Sequence, residues 1–257
     1  MKDIILNKLS EIEKENNIKI LYAVESGSRG WGFASKDSDY DVRFIYIHPT
    51  DWYLSIEEKK DFIEVPINDL LDINGWDIKK AFLHYKKSNP TLMEWLSSPI
   101  VYLENYSTAQ KMRELLPEYF SPVPTIYHYL HIARKKFEEV INADQVKIKS
   151  YFYILRPILA CMWIEKSNTA PPMEFSKLIA AQQLDDTLLN EIYKLLEKKT
   201  SGLEIDIEPK SPIIIEFLKN MIAHYEQYLK KVRKDKKSDY YALNILFRET
   251  LKEVWKS

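Results

Sequence analysis

The residue types best suited to chemistry are concentrated in one stretch, ESGSRGWGFASKDSDYDVRFIYI, which spans residues 25–47. Two aspartates, Asp39 and Asp41, stand one residue apart directly before an apolar run. Residues two apart on a β-strand project from the same face, so both carboxylates are expected to point the same way. Carboxylates held that close repel each other unless a cation lies between them, and hard divalent ions prefer oxygen ligands. The pair therefore indicates a cation site, and a solvated DSDYD turn is the structural alternative.

A glycine-rich turn comes immediately before these aspartates. IKILYAVES is a β-branched and aromatic run that predicts a buried strand, and it leads directly into GSRGWG. Glycine lets a ligand approach the backbone closely, and a short helix beginning near Gly30 or Trp31 would direct its first N–H groups at an anion. Ser28 adds a hydroxyl and Arg29 a bidentate phosphate donor. The glycine spacing fits neither a Rossmann fingerprint nor a Walker loop, but beside a carboxylate pair the turn predicts a site for a metal-bound polyphosphate.

The surrounding hydrophobic pattern predicts the elements that must position this stretch. The first helix is indicated by apolar residues at helical spacing: Ile4, Ile5, Leu9 and Ile12. IKILYAVES, DVRFIYI, DFIEVPI and LLDI predict four strands; the period returns to helical from Gly75, and beyond about Tyr106 the pattern is almost entirely helical. The clearest later helices are predicted for three ranges: 127–136, 149–166 and 212–237. We therefore expect an α+β fold, with a small mixed-sheet domain over residues 1–105 and an all-helical domain over residues 106–257.

The bulk composition limits the partners of the protein. Of its 257 residues, 46% are hydrophobic and 29% charged, which is ordinary for a soluble globular protein. A formal net charge of -1 provides no overall attraction for nucleic acid or an acidic membrane, so a polyanion must be met by a local patch. The single cysteine, Cys161, lies in an apolar helical run and is expected in the core. No apolar stretch approaches the ~20 residues of a membrane span and no signal-peptide pattern is present, so we expect a cytoplasmic protein without a membrane partner.

At the opening stretch the chain resembles a known family. Gly27 and Ser28, followed after ten residues by Asp39 and Asp41, resemble the signature of the DNA polymerase β-type nucleotidyltransferases. More narrowly, the stretch is similar to predicted nucleotidyltransferases that gene context links to RNA repair, the RlaP or YcgL-like group. This resemblance covers about residues 20–165 and is most specific in the first hundred residues.

The resemblance implies a reaction and a set of roles. A nucleoside monophosphate would pass from a nucleoside triphosphate to a hydroxyl acceptor, and pyrophosphate would leave. Gly27 and Ser28 would hold the triphosphate, while Asp39 and Asp41 would bind two Mg²⁺ or Mn²⁺ ions. Residues 1–105 would form the nucleotidyltransferase domain.

In such enzymes a third carboxylate on a neighbouring strand completes the metal site, and three residues compete for this role. Asp72 in LLDI and Glu64 in FIEV each stand between apolar residues, where an acid must be paired, metal-bound or surface-facing. Asp77 in GWDIKK lies where an acid favours a helix N-terminus. We favour Asp72 as metal ligand and, as a hypothesis, as the base for the acceptor hydroxyl.

Further charged residues near the motif have structural and functional interpretations. Glu25 is expected to pair with Arg29 or Arg43 around the turn, and Arg29 alternatively reaches a phosphate. In the later helices, Lys149 and Tyr153 lie on one predicted helix face and are candidates for contact with the triphosphate or base. Core aromatics with solvated lysines are the alternative.

Three functions are consistent with these residues. The first is nucleotide addition to an end of tRNA or another RNA, as in RNA repair. The basic run at residues 230–239 could contact the RNA backbone, but a solvated helix end is the favoured interpretation. The second is a protein nucleotidylyltransferase of the antitoxin type. The third is a nucleotide- or RNA-binding module whose catalysis has decayed, against which the intact Gly-Ser and Asp-Asp pairs argue. The absence of net positive charge favours a small or protein acceptor, or brief contact with RNA.

Overall fold

The computed structural model of the protein describes residues 1–66, 70–143, 145–202, 207–232 and 239–256. Contacts divide the chain into two compact units, and each unit is built from more than one segment. The first unit comprises Met1–Gly30, Asp39–Tyr119 and Lys237–Ser257, and the second comprises Trp31–Ser38 and Phe120–Lys236. The predicted α+β class is confirmed, because strands and helices share the first unit.

In chain order the described elements are α1 (Lys2–Asn16), β1 (Lys19–Glu25), α2 (Gly27–Trp31), β2 (Tyr40–Ile47), α3 (Thr50–Tyr53), β3 (Phe62–Glu64), β4 (Leu71–Asp77), α4 (Ile78–Lys86), α5 (Pro90–Leu96), β5 (Val101–Glu104), α6 (Thr108–Tyr119), α7 (Pro122–Ile141), β6 (Gln145–Lys147), α8 (Ile148–Ser167), α9 (Phe175–Ala180), α10 (Asp186–Ser201), β7 (Ile207–Pro209), α11 (Pro212–Lys231) and α12 (Tyr241–Trp255). No helix in these described ranges is long and apolar enough to cross a membrane.

The first unit is built on a five-stranded mixed sheet in the order β3-β4-β2-β1-β5. The central pair, β2 and β4, is parallel, and the other neighbours are antiparallel. Helix α1 buries Ile5, Leu9 and Ile12 in one core cluster, together with inward-facing residues of β2 such as Val42. Residues of α4, α5, α6 and α12 form a second cluster with the alternate strand residues. The predicted first helix and four strands are confirmed, although Ile4 is exposed and β5 was not predicted.

Strand β4 extends further than its sequence pattern predicts. The expected return to helical structure at Gly75 is wrong, since β4 continues to Asp77 and α4 begins at Ile78. Gly75 lies directly opposite Phe44, and a Cβ atom on Gly75 would stand 2.2 Å from that ring. Because Gly75 has no side chain, β4 can pass beneath the buried Phe44 ring. Gly75 is therefore part of the sheet and does not start a helix.

The predicted boundary between residues 105 and 106 does not coincide with the division into units. Helix α6 packs against β1, and α12 packs against α4 and α6, so both helices belong to the first unit. Two hydroxyls join α6 to α12, with Thr108 Oγ1 3.0 Å from Thr250 Oγ1. These contacts connect positions 142 residues apart, and no local pattern in the sequence marks them.

The second unit packs α7 against α8, with α11 against both. It is helical as predicted except for β6 and β7, two short antiparallel strands that were not predicted. The segment Trp31–Ser38 belongs to this unit, where Phe33 is fully buried and lies 5.0 Å from Phe152 between ring centroids. Cys161 is buried, as expected. The predicted end of the last long helix at residue 237 lies outside the described residues, and α11 is described to Lys231.

Candidate active site

Two aspartates on neighbouring strands form the centre of the candidate site. The parallel register of β2 and β4 places Asp41 directly opposite Asp72. Arg43 Nη2 lies 2.9 Å from Asp41 Oδ1 and 2.7 Å from Asp72 Oδ2, so one guanidinium joins both carboxylates. The three side chains are 19–22% exposed. The fold thus brings two of the predicted ligands together at a partly open position and balances them with one cation.

The surroundings of Asp41 disfavour the ionised form of its carboxyl group, even with Arg43 beside it. Burial raises the pKa of the Asp41 carboxyl, and the charges of Asp39 and Asp72 raise it further, while Arg43 opposes the rise. A raised pKa means that the ionised carboxylate is held at a cost in its present surroundings. Additional positive charge at this position would stabilise it, which is the property expected of a cation site.

Asp39 occupies a different environment from its partner. It is exposed, one residue before β2, and its carbonyl oxygen accepts a hydrogen bond of 2.9 Å from Arg29 Nε. The Arg29 guanidinium carbon lies 3.8 Å from the centre of the Tyr40 ring. Arg29 therefore holds the backbone ahead of the strand.

A three-carboxylate metal site is not assembled in this arrangement. Across the described parts of the chain, no three His, Cys, Asp or Glu side chains are grouped closely enough to hold a metal ion. The oxygen donors of Asp41 and Asp72 nevertheless fit a hard divalent ion in type, and Asp39 is close enough for its charge to raise the pKa of Asp41. Of the three predicted metal ligands, Asp41 and Asp72 therefore form a pair, and Asp39 lies near Asp41.

The glycine turn lies directly against Asp41. Gly27 has φ of +55°, and a Cβ atom there would stand 1.8 Å from Asp41 Oδ2. Helix α2 begins at Gly27, earlier than the expected start near Gly30 or Trp31. Ser26 N donates to the carbonyl oxygen of Asp41 at 2.8 Å. Gly27 is thus required both by its left-handed backbone and by the carboxylate against it.

Ser28, the predicted partner of Gly27 in holding a triphosphate, lies in the first turn of α2 and is 7% exposed. The first amide groups of a helix precede its internal hydrogen-bonding pattern and are suited to an anion. The role of Ser28 stays a prediction.

Glu25 supports the site in a way that the sequence did not indicate. Its Oε1 atom accepts from the Asp41 amide at 2.8 Å, and its Oε2 atom accepts from the Tyr102 hydroxyl. Ser98 Oγ donates to the carbonyl oxygen of Glu25 at 2.6 Å. We expected Glu25 to pair with Arg29 or Arg43. Arg43 instead joins the two aspartates, whereas the charge of Arg29 favours the ionised form of Glu25. Glu25 also fixes the backbone at Asp41. Burial raises the pKa of the Glu25 carboxyl.

The other two candidates for the third carboxylate lie elsewhere. Asp77 caps α4, because its side chain accepts from Lys79 N at 2.8 Å, and it also accepts from the Tyr53 hydroxyl at 2.6 Å. Glu64 is exposed on β3, 3.5 Å from the side-chain nitrogen of Asn74. Among the three, Asp72 is the residue whose backbone position is directly opposite Asp41.

Lys149 and Tyr153 lie on α8 in the second unit. Tyr153 is 40% exposed and contacts Trp31 edge to face at 5.4 Å between ring centroids. Its neighbour Arg156 is buried, donates to the carbonyl oxygen of Met173, and covers the Trp31 ring at 4.7 Å. This helix face therefore holds Trp31, and the nucleotide-binding roles of Lys149 and Tyr153 stay predictions.

The remaining functional prediction concerns the basic run at residues 230–239. Its central part, residues 233–238, lies outside the described residues. Sequence reasoning also missed Arg43 and Tyr102 as parts of the site. Arg43 had a signal, since it follows Asp41 by two residues on the same strand face, whereas Tyr102 had none because β5 was not predicted.

A glycine turn after one strand, in contact with one of two facing aspartates on parallel strands, is the arrangement expected of the DNA polymerase β class of nucleotidyltransferases. A family model described as "RlaP: RNA repair pathway DNA polymerase beta family" matches residues 1–249, and the chain belongs to this family. Protein YcgL of Bacillus subtilis (strain 168) is 48% identical over 256 residues, covering 100% of this chain and 98% of YcgL.

A structural relative has also been solved. The crystal structure of a nucleotidyltransferase-like protein from Exiguobacterium sibiricum 255-15 aligns over 100% of this chain and 89% of its own. The identity is 12% and the TM-score is 0.32.

Proposed function

We propose that this protein is a metal-dependent nucleotidyltransferase that transfers a nucleoside monophosphate from a nucleoside triphosphate to the hydroxyl end of an RNA. The observation that carries the proposal is the contact between Gly27 and Asp41 together with the position of Asp72 opposite Asp41. A turn suited to phosphates thus lies beside a pair of carboxylates, Asp41 and Asp72, that are suited to cations.

Asp41 and Asp72, with Asp39 nearby, are the residues that would hold Mg²⁺ or Mn²⁺. Two bound ions would supply the positive charge that favours the attacking oxygen and the leaving pyrophosphate. Asp41 suits this role because Glu25 accepts a hydrogen bond from its amide, and because burial, with the charges of Asp39 and Asp72, raises the pKa of its carboxyl. The carboxylate is therefore positioned, and a bound cation would favour its ionised form.

The chain's own groups account for positioning and proton transfer. Gly27 and Ser28 hold the triphosphate at the start of α2, and Arg29 keeps the following chain in place through its contacts with Tyr40 and Asp39. Asp72 takes the proton of the acceptor hydroxyl. The bond from the acceptor oxygen to the α-phosphorus then forms as the bond to the β-phosphate oxygen breaks, and pyrophosphate leaves. Positioning and charge neutralisation supply most of the acceleration in phosphoryl transfers of this kind.

RNA is the proposed acceptor because the description of the family places it in an RNA repair pathway. The formal net charge of -1 restricts RNA binding to a local surface and brief contact. The same low charge favours a protein acceptor as the second candidate, and the experiment below separates the two.

The proposal is tested with each of the four triphosphates labelled at the α-phosphate, with Mg²⁺ or Mn²⁺ and with intact or broken tRNA. Label in RNA that depends on metal and is lost in D41N supports the proposal. Label in protein alone would replace the RNA acceptor with a protein acceptor. Triphosphate binding without transfer to RNA or protein would contradict the proposed enzymatic activity and would indicate a nucleotide-binding module.

A further inference from the structure

Arg43 contacts both carboxylates of the site and the backbone beside them. Its Nη2 atom bridges Asp41 Oδ1 and Asp72 Oδ2, and its Nη1 atom donates to the carbonyl oxygens of Val42 at 3.1 Å and Asp72 at 3.0 Å. The guanidinium is therefore held by two carboxylates and two backbone groups on adjacent strands. Its side chain is 19% exposed, so the bridge is only partly screened by water.

The carboxylate oxygens that Arg43 engages are those a divalent ion would use. Asp41 and Asp72 would hold a divalent ion through their carboxylate oxygens, the ligand type that Mg²⁺ prefers. Asp41 Oδ2 lies against Gly27, and the other oxygen, Oδ1, is bound by the same Arg43 nitrogen that binds Asp72 Oδ2. A guanidinium and a metal ion cannot occupy the space between the same two oxygens, because both need their lone pairs and both are positive.

We propose that Arg43 is a displaceable internal cation, which holds Asp41 and Asp72 together when metal is absent and competes with metal for them. The inference rests on the proposed function, because it assumes that the metal binds at these aspartates. Arg43 is a positioning residue, since it acts through the two carboxylates. Its contacts explain how the two carboxylates are held close together without a metal, and they make metal binding an exchange of one cation for another.

This exchange predicts an unusual effect of removing a positive charge. If Arg43 only organised the pair, its loss would weaken metal binding. If Arg43 competes, R43Q should bind Mn²⁺ about tenfold more tightly than the wild type, because charge-assisted hydrogen bonds of this kind must be broken before metal can bind. Metal-free R43Q should also melt at a lower temperature, and a fixed Mn²⁺ concentration should raise its Tm by more than that of the wild type.

The experiment titrates the full chain with Mn²⁺ alone, with free Mn²⁺ measured by electron paramagnetic resonance and Tm measured by circular dichroism. The matched control is R113Q, which removes an arginine that pairs with Glu104 in the same unit, and which should bind Mn²⁺ as the wild type does. R43K retains one positive charge but not the planar fork, so its affinity should lie between those of the wild type and R43Q. The double variant D41N/R43Q should lose the tight binding.

The outcomes separate the inference from the proposed function. Equal or weaker Mn²⁺ binding by R43Q, with binding still lost in D41N, would overturn the competition and leave the metal site standing. Absence of binding in both the wild type and R43Q would overturn the metal site and the competition together. If R43Q fails to fold, R43K decides: an affinity no higher than that of the wild type would overturn the competition.

Discussion

Asp72 and Asp77 lie at opposite ends of β4, and they show how the same side chain can serve two purposes. Asp72 is opposite Asp41 and shares Arg43 with it, while its side chain stays 22% exposed. Asp77 is opposite Tyr46, is 1% exposed, and accepts from the Tyr53 hydroxyl and the Lys79 amide. Asp72 is paired with a cation and partly exposed to solvent, whereas Asp77 accepts hydrogen bonds from neutral donors and is buried.

The difference lies in what each environment still lacks. Burial raises the pKa of Asp77 to about 6, but its partners complete the cap of α4 and leave it no external ligand to bind. The Asp41–Asp72 pair has two negative charges and one positive charge, so it retains an attraction for a further cation. A perturbed acid is thus a functional candidate when its charge is incompletely balanced, and a structural one when its hydrogen bonds are complete.

The largest expected effect is on the activity of D41N. Removing this charge should reduce nucleotide transfer on the order of 10²-fold or more, because a carboxylate that would hold the charge-neutralising metal ions is lost. The unfolding free energy should stay within about 1 kcal/mol of the wild type, since the pair is partly solvated. Initial rates of label transfer and urea denaturation measure the two effects. A D41N variant that unfolds easily but transfers normally would place Asp41 in the structural class with Asp77.

Gly27 provides the next largest contrast, with Gly32 as its matched control. Both have positive φ, but a Cβ atom at Gly27 would collide with Asp41 while one at Gly32 meets nothing within 4 Å. G32A should lose about 1–2 kcal/mol of stability from backbone strain alone. G27A should in addition displace the carboxylate and transfer nucleotide at less than about a tenth of the G32A rate. Equal transfer rates in G27A and G32A would show that Gly27 is not part of the catalytic site.

Glu25 resembles Asp77 in its partners although it adjoins Asp41. E25L should lose about 2–4 kcal/mol of stability, because the Asp41 amide and the Tyr102 hydroxyl are left without their acceptor. E25Q is the control: its oxygen can accept from the amide and its NH₂ group can donate to the hydroxyl, so the loss should be below about 1 kcal/mol. Urea denaturation compares them, and an E25Q loss as large as that of E25L would show that the charge of Glu25 is what matters.

The smallest predicted effect is the pH dependence that Asp77 contributes. Its folded pKa of about 6 lies above the ordinary aspartate value of 3.8, so the folded state binds more protons than the unfolded state between these pH values. Stability from this group is therefore full below about pH 4 and is lost as the pH rises through 6, by on the order of 1–3 kcal/mol. D77N should remove this slope.

Thermal melts of the wild type and D77N at pH 4 to 7 measure the difference. Asp185 supplies the control, since it also caps a helix but is exposed and has a lowered pKa. The difference between the wild type and D185N should be flat above pH 4. A flat difference for D77N as well would contradict a buried, protonatable cap.

Local patterns in the sequence predicted many residues of the candidate site, but not the contacts between them. The alternation in DYDVRF predicted the strand and the face of Asp41, and apolar neighbours marked Asp72. The bridge from Arg43 to Asp72 joins residues 29 positions apart, and it depends on the parallel register of β2 and β4, which no single segment specifies. Tyr102 reaches Glu25 from 77 positions away on a strand with no clear pattern. Long-range pairing therefore decided which charges meet.

The central claim is that Asp72 belongs to the catalytic site and Asp77 to the fold. The most direct test compares transfer of α-phosphate label by D72N and D77N at pH 7, with Mg²⁺ present and each protein shown to be folded. We predict that D72N loses transfer while still binding triphosphate, and that D77N transfers label at a rate within about threefold of the wild type, since a rate change of that size corresponds to less than about 1 kcal/mol. Normal transfer by D72N, or loss of transfer in a folded D77N, would contradict the account.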